Sequence, residues 1–298
     1  FSRVQTIIDS DQEFMPLLGC ASANPQVPAV GLANILVGLG LVEGRLCLFI
    51  AHESTRAAGA MSPGSVKKII RAQEIAQQQR LPVIYLVESA GLDLADQSAG
   101  FVDIGAVFAN MAKLSHAGVP QVSVCYGTAT AGGAYMVGLA DYTIFLANKA
   151  RVFLAGPNLV TYAIGERTSP EQLGGTAVHQ VSGLADSVVD SECEIRPLIL
   201  SWLVQARQWP AFSSSLQSLS SDVAEKTIQV LSEVSGDYRN FFITPELLAT
   251  FLDEAVHEYK PSVQGSMSCI FATIKGNPVG VIVNKGPIDV LSAGKTVQ

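Results

Sequence analysis

The run Gly127-Thr-Ala-Thr-Ala-Gly132-Gly133-Ala-Tyr135 follows the apolar stretch Val119 to Tyr126, and this junction is the part of the chain best suited to chemistry. A strand that ends in small residues and restarts as an apolar helix, here expected from Ala134 to Leu139, leaves backbone N–H groups open at the helix start. Such groups bind anions, or an oxygen that gains negative charge during a reaction. Glycine permits this because a Cβ would keep a carbonyl group away from the main chain. The same pattern also suits a tight helix–strand contact with no ligand. A second small-residue turn, Glu88-Ser-Ala90-Gly91-Leu92, follows the apolar run Leu81 to Val87. Ligands of α/β sheets bind at the carboxyl ends of strands. The turns at 89–92 and 130–134 are therefore expected to supply one N–H each to a single carbonyl oxygen, each worth roughly 10²–10³ in rate. No Ser/His/Asp set and no pair of carboxylates accompanies them.

These turns need a scaffold of alternating strands and helices. Ile35 to Ala51 reads as a hairpin about the turn Glu43-Gly44-Arg45. A helix is expected from Ser65 to Gln79, with Val66, Ile69, Ile70, Ala72 and Ile75 at helical spacing. Strand 81–87, a helix from Phe101 to Ala117, strand 119–126 and short strands at 142–146 and 151–154 complete a layered α/β domain with parallel strands. Met267 to Val283 repeats the hairpin design about Lys275-Gly276-Asn277-Pro278, so a duplicated fold is expected. The reading places a first domain at 1–205, a linker at 206–235 around Trp209-Pro210 and a serine-rich run, and the start of a second domain at 236–298, with a helix from Leu247 to Val256. The glycine-pair loop of that second copy is expected past Gln298, so the sequence reads as truncated there, and Phe1 is not an initiator methionine.

Composition narrows the function classes. The 298 residues are 48% hydrophobic and 15% charged, with a net charge of −7. That describes a well-buried globular protein and argues against nucleic acid as a partner. No apolar stretch reaches membrane-spanning length, and Asp9, Asp11 and Glu13 do not suit a secretory signal. Cys20, Cys47, Cys125, Cys193 and Cys269 are scattered without metal-ligand spacing, as are the histidines, so no metal is expected. Reduced, buried cysteines point to cytoplasm or an organelle matrix.

Several ordered motifs carry a family resemblance. Ser65-Val-Lys-Lys-Ile-Ile-Arg-Ala-Gln-Glu-Ile-Ala76, Leu81 to Gly91, Thr130-Ala-Gly-Gly-Ala-Tyr135, Val152 to Pro157, Gly165-Glu166, Leu173-Gly-Gly175, His179 and Ser182-Gly183 resemble the carboxyltransferase (β) subunits of biotin-dependent acyl-CoA carboxylases. The style of helix 65–79 is closer to the methylcrotonyl- and geranyl-CoA members. The resemblance implies a crotonase-like fold duplicated as two domains, with acyl-CoA on the first domain. Carboxybiotin arrives from a biotin carboxylase/carrier partner, and a neighbouring subunit of a dimer-based oligomer, up to a hexamer, completes the site. It also implies cytoplasm or mitochondrial matrix as the location. The N–H groups near Gly132 and Gly133, with those of Ala90 and Gly91, would hold the thioester oxygen while the α-carbon loses its proton, and no side-chain acid or base is required.

Gly59 and Ala60, with the cations Arg56, Lys67 and Arg71, are expected to meet coenzyme A. Residues 54–73 contain no acid, which suits phosphate groups on an otherwise acidic chain, although a solvated helix face has the same pattern. Two departures stand out, since members usually carry glycine where this chain has Ala58 and Ala90. Two other functions remain open: a biotin-dependent acyl-CoA decarboxylase component, and a non-catalytic assembly subunit. His179 suits a structural histidine, and Tyr135 is expected to pack behind the glycine pair.

Overall fold

The computed structural model describes residues 1–17, 34–93, 97–207, 248–250, 252–261, 265–286 and 289–297. Contacts divide the chain into two units, Phe1–Leu200 and Ser201–Gln298.

The first unit is built on one largely parallel sheet. It opens with helix α1 (Ser2–Gln5), strand β1 (Met15–Leu17), and the hairpin β2 (Ile35–Val42) and β3 (Arg45–His52). Helix α2 (Pro63–Gln79), β4 (Val83–Ser89), α3 (Gln97–His116), β5 (Gln121–Thr130) and α4 (Gly132–Gly138) follow. Then come β6 (Tyr142–Leu146), β7 (Arg151–Phe153), α5 (Pro157–Ile164), α6 (Pro170–Gly174), α7 (Thr176–Ser182), β8 (Ser187–Val189) and α8 (Ile195–Arg207), within which the boundary between the units falls. The sheet order is β1-β2-β3-β4-β5-β6-β8, antiparallel from β1 to β3 and parallel from β3 onward. The first half of β5 pairs with β6 and its last three residues, Thr128–Thr130, pair with β7. That second pairing is why the strand continues through Gly127 to Thr130, where the sequence suggests a loop, and why α4 begins at Gly132 and not at Ala134.

Local chemistry explains the boundaries. Glu43 and Gly44 both have positive φ, 52° and 69°, the two-residue turn that matches strand twist. Ser62 caps α2 by accepting the Ser65 N–H, and Pro63 occupies the first helical position, so the helix starts two residues earlier than its apolar periodicity suggests. Leu48, Ile50, Val83 and Val87 of the sheet, with Val66 and Ile69 of α2 and Val107 and Met111 of α3, form one core. Each such side chain contributes about 1.5–3 kcal/mol by burial. A polar chain crosses this core. Gln73 donates to the Tyr85 hydroxyl (3.2 Å), which donates to Gln121 Oε1 (3.1 Å), while Gln121 Nε2 donates to the Met111 carbonyl (2.8 Å). It links α2, β4, β5 and α3 with directional bonds, so sliding any of them would strand a buried donor.

The second unit holds β9 (Glu254–Tyr259), β10 (Met267–Ile274), β11 (Asn277–Asn284) and α9 (Val290–Val297), with an antiparallel sheet in the order β11-β10-β9. The helix expected over Leu247–Val256 is not found in its second half, because Glu254 onward pairs with β10 as a strand. Its expected start, Thr244–Glu246, and most of the 206–235 linker lie outside the described residues. Helix α8 runs through position 205, where the sequence suggests a domain end.

Candidate active site

The two small-residue turns meet, as their positions on adjacent strands β4 and β5 require. Ser89 pairs with Ala129 across these strands, and a Cβ on Gly91 would stand 3.1 Å from the Thr130 carbonyl oxygen. Gly91 has φ +95°, so a side chain there is excluded by conformation as well as by space.

The amides of the two turns differ in commitment. The Ala90 N–H donates to the Ala58 carbonyl (3.0 Å), and the Gly91 N–H donates to Ser89 Oγ (3.1 Å). Both are engaged within the fold, where the sequence suggests a turn that offers one to a substrate. The physical reason is a short parallel bridge between Met61 and Leu92. In it the Met61 N–H donates to the Gly91 carbonyl (2.7 Å) and the Asp93 N–H to the Met61 carbonyl (2.9 Å). This bridge draws segment 57–61 onto the turn. Gly132 and Gly133 are the first two residues of α4, and their N–H groups find no acceptor among the described residues. These two amides, at the positive end of a helix, are the open donors.

Glycine at 133 serves packing first. A Cβ there would lie 2.8 Å from Ser89 Cβ, so the tight helix–strand contact weighed as the simpler reading is present. A Cβ on Gly132 would meet Ile104 Cδ1 at 2.6 Å and Met61 Cε at 3.4 Å, so this end of α4 is backed by apolar side chains. Behind the amides, water is therefore displaced by hydrocarbon, which strengthens any charge–dipole interaction in front of them.

Backbone strain gathers around the same place. Ala57 (φ 46°), Ala58 (φ 50°) and Ala131 (φ 49°, ψ −114°) all take conformations that L-residues avoid. Such residues cost on the order of 1–3 kcal/mol each and persist only where the surroundings impose them. Ala58 therefore bears the strain that glycine would relieve. Ala90 is absent from the positive-φ residues, so its Cβ is accommodated.

The cations are dispersed in role. Arg56 and Lys67 are exposed. Arg71 pairs with Glu74 at 2.9 Å, an acid lying one residue past the acid-free stretch. Lys68 donates to the Ile35 carbonyl (2.9 Å). Gly59 is buried at φ +72°, its Cα pressed against the Glu88 carbonyl, and Ala60 is half-buried with its carbonyl accepting from Asn34 Nδ2 (2.9 Å). Tyr135 does not pack behind the glycines. It is half-exposed, with its ring 5.0 Å from that of Phe108. His179 holds the Val152 carbonyl through Nε2 (2.7 Å), and its ring lies tilted against that of Phe145, a structural role.

Two features escaped the sequence reading. His52, at the end of β3, is buried, and burial pushes its pKa down to about 4 despite the Leu86 carbonyl and Glu88, so the ring is neutral near pH 7. Leu86 offers only an acceptor 3.4 Å away, so Nδ1 carries the proton and Nε2 is left as a buried acceptor with no partner among the described residues. Glu88 accepts from Arg3 Nη1 (2.6 Å) and Ser54 Oγ (2.9 Å). Glu88 lies inside the Leu81 to Gly91 stretch, but its partners, like those of His52, come near only at the strand ends. Cys47, Cys125 and Cys269 are buried free thiols, and burial pushes Cys47 and Cys125 up to about 12, so neither of those two is poised to react. Among the described residues no helix is long and apolar enough to cross a membrane.

A largely parallel sheet with open helix-start amides at the end of β5, next to a strained turn, is an α/β arrangement of the kind that can hold an anion or a carbonyl oxygen. The chain belongs to the carboxyl transferase domain family, which matches residues 2–298. It is 35% identical over 289 residues to a probable biotin-dependent acyl-coenzyme A carboxylase beta2 subunit of Mycobacterium tuberculosis, covering 95% of this chain and 53% of that protein. It is 34% identical over 295 residues to the mitochondrial methylcrotonoyl-CoA carboxylase beta chain of Dictyostelium discoideum, covering 95% and 49%. The solved beta subunit of P. aeruginosa geranyl-CoA carboxylase superposes with a TM-score of 0.62 at 33% identity, covering 99% of this chain and 55% of that one. The crotonase-like α/β fold expected from the motifs is the fold observed. The chain spans about half the length of the curated relatives it matches.

Proposed function

We propose that this chain is carboxyltransferase sequence from a biotin-dependent acyl-CoA carboxylase, with the thioester bound in the first unit and Ser201–Gln298 opening a second copy of the fold. The observation that carries the reading is the pair of open N–H groups at Gly132 and Gly133, backed by Met61 and Ile104. Two amides converging on one thioester oxygen stabilise it more strongly as an enolate than as a carbonyl, which lowers the barrier to loss of the α-proton. The Arg56 and Lys67 side chains, exposed on an acidic protein, suit the phosphates of coenzyme A. Biotin, carried by a biotin carboxylase/carrier partner, supplies the carboxyl group when bound, and this chain's part is to hold the acceptor and exclude water. Exposed Leu159, Tyr162 and Ile164 on α5, a helix with no buried residue, support assembly into a homo-oligomer.

The test removes one N–H without adding a Cβ. Replacing Gly133 by glycolate turns its amide into an ester, which leaves the contact with Ser89 unchanged. In the full-length protein with its biotinylated partner, carboxyl transfer should fall by about 10²-fold or more while acyl-CoA affinity changes little. Unchanged turnover would remove the amide from the mechanism. Release of carbon dioxide from a carboxylated acyl-CoA, without ATP-coupled carboxylation, would assign the chain to a decarboxylase instead.

A further inference from the structure

We propose that Glu88 is a positioning residue for this site, acting through the backbone and not on substrate, an inference that rests on the reading just given. Glu88 is the penultimate residue of β4 and sits where three segments converge. Its carboxylate accepts from Arg3 Nη1 at 2.6 Å and from Ser54 Oγ at 2.9 Å, so it ties α1 and the start of the 53–61 segment to the strand end. The same carboxylate lies over Gly127. A Cβ there would meet Oε1 at 2.6 Å and Cδ at 2.8 Å, so only glycine in β5 leaves room for it. The main chain of Glu88 is equally engaged, since its carbonyl is packed against Gly59.

Ser89, the next residue, completes the linkage. Its Oγ donates to the Gly59 carbonyl (2.9 Å) and accepts the Gly91 N–H, while its Cβ is the surface on which Gly133 rests. Glu88 thus holds both ends of one assembly: the strained 57–59 turn on one side, and through Ser89 the first turn of α4 on the other. Arg3 is itself fixed, its guanidinium 4.4 Å over the Tyr126 ring of β5. The strain at Ala57 and Ala58 needs such an anchor, and the Glu88 carboxylate acts there beside the Ala90 N–H, the Ser89 hydroxyl and the Met61–Leu92 bridge, which also hold this segment away from ordinary φ values. An ion pair of this exposure adds little to global stability. Its effect is expected in the placement of Ser89 and of the amides it backs.

The test uses the full-length protein and three single variants, Glu88→Gln, Ser54→Ala and Arg3→Met, with Arg3→Lys as the charge-keeping control. Glu88→Gln should lower kcat for carboxyl transfer by about tenfold or more with KM for acyl-CoA within about twofold, because binding contacts remain and amide placement is lost. Ser54→Ala and Arg3→Met should move kcat in the same direction by a few-fold, and Arg3→Lys should recover most of it. They also carry the test if Glu88→Gln fails to fold. Hydrogen exchange at the Ala90 and Met61 amides, which bond across the linkage, should accelerate in each impaired variant. Exchange as slow as in wild type would overturn the positioning role whatever the activity. A rise in KM with kcat unchanged would overturn it too. Faster exchange in the variants, with a wild-type protein that transfers no carboxyl group, would sink the functional reading alone, and the exchange result would still decide the role of Glu88.

Discussion

Asp9 of the first unit and Asp253 of the second make the same pair of bonds to their own hairpins. Asp9 accepts the N–H of Gly44 at 2.9 Å, and Asp253 that of Gly276 at 2.7 Å, each glycine being the second residue of a two-residue turn. Each aspartate also donates its own N–H to the carbonyl two residues before that turn, Leu41 at 2.8 Å and Thr273 at 2.9 Å. The parallel extends to the helices that follow. Buried Ser65 of α2 accepts the N–H of Asn34, the residue before β2, and buried Ser292 of α9 accepts that of Ser266, the residue before β10. Three matched bonds on two hairpins support the proposed duplication more strongly than the sequence pattern, which matches in only one hairpin.

Asp9 should therefore matter to stability, with a definite pH dependence. Burial alone would raise its pKa, but the Gly44 and Glu43 N–H groups and Arg196 hold it below the usual carboxylate range. A depressed pKa gives a contribution that is present above the unfolded value, near 4, and is lost as pH falls through the folded value. Asp9→Ala should cost about 1–2 kcal/mol at pH 7 and progressively less below about pH 4. Urea unfolding of both proteins at pH 7 and pH 3.5 measures this, and a constant difference would mean that packing and not charge is responsible.

His52 acts in the opposite part of the pH range. Its folded pKa, about 4, lies below its ordinary value of about 6.5, so the unfolded chain binds the extra proton between these values. Stability is fully present above pH 6.5 and falls with decreasing pH by at most about 1.4 kcal/mol per unit until about pH 4. His52→Gln, which stays neutral, should flatten the dependence of the unfolding midpoint between pH 6.5 and 4.5. If the slope survives the substitution, the acid sensitivity belongs to other groups.

The strained alanines give a prediction of opposite sign to most substitutions. Ala58 and Ala131 occupy conformations that glycine takes freely, at a cost of roughly 1–3 kcal/mol each. Glycine loses about 0.5–1 kcal/mol more backbone entropy on folding. Ala58→Gly and Ala131→Gly should therefore be neutral or stabilising by up to about 1–2 kcal/mol, whereas Gly133→Ala, facing Ser89 Cβ at 2.8 Å, should destabilise by about 1–3 kcal/mol. Thermal or urea midpoints of the three variants distinguish the cases. Loss of stability in both alanine variants would show that the Cβ atoms make contacts outweighing the strain. The Gly133 value also rules out bulky substitutions there as clean probes of chemistry, since Gly133→Val would disturb α4 before it affected a substrate.

How much of this was legible in the residues depends on whether the cause is local. The β2–β3 hairpin is readable from Glu43-Gly44, and α2 from its apolar spacing, because the signals lie within each element. The end of β5 is not readable in this way, since Gly127 and the small residues to Thr130 look like loop until β7 pairs with them. Glu254–Tyr259 is set likewise by its neighbour β10 and not by helical spacing. At the site, the glycine pair was visible as a source of open amides. The engagement of the Ala90 and Gly91 amides was not, because it depends on segment 57–61, some thirty residues away in sequence.

The cations near α2 yield the last prediction. Lys67 and Arg71 lie one turn apart on its exposed side, and Arg56 is exposed in the turn before it. Arg71 already has Glu74 at 2.9 Å, while Arg56 and Lys67 join no ion pair with a described residue. If these groups bind coenzyme A phosphates, the unpaired pair should contribute most. Arg56→Glu with Lys67→Glu should weaken acyl-CoA binding by about 1–3 kcal/mol, and Arg71→Glu alone by less than about 1 kcal/mol. Wild-type affinity should also fall with added salt, since exposed charges are screened beyond about 10 Å at 0.1 M. Calorimetric titration of a short acyl-CoA at two salt concentrations reads all three effects. Equal binding by the double variant and wild type at low salt would make this stretch a solvated helix face and move the phosphate site elsewhere in the protein.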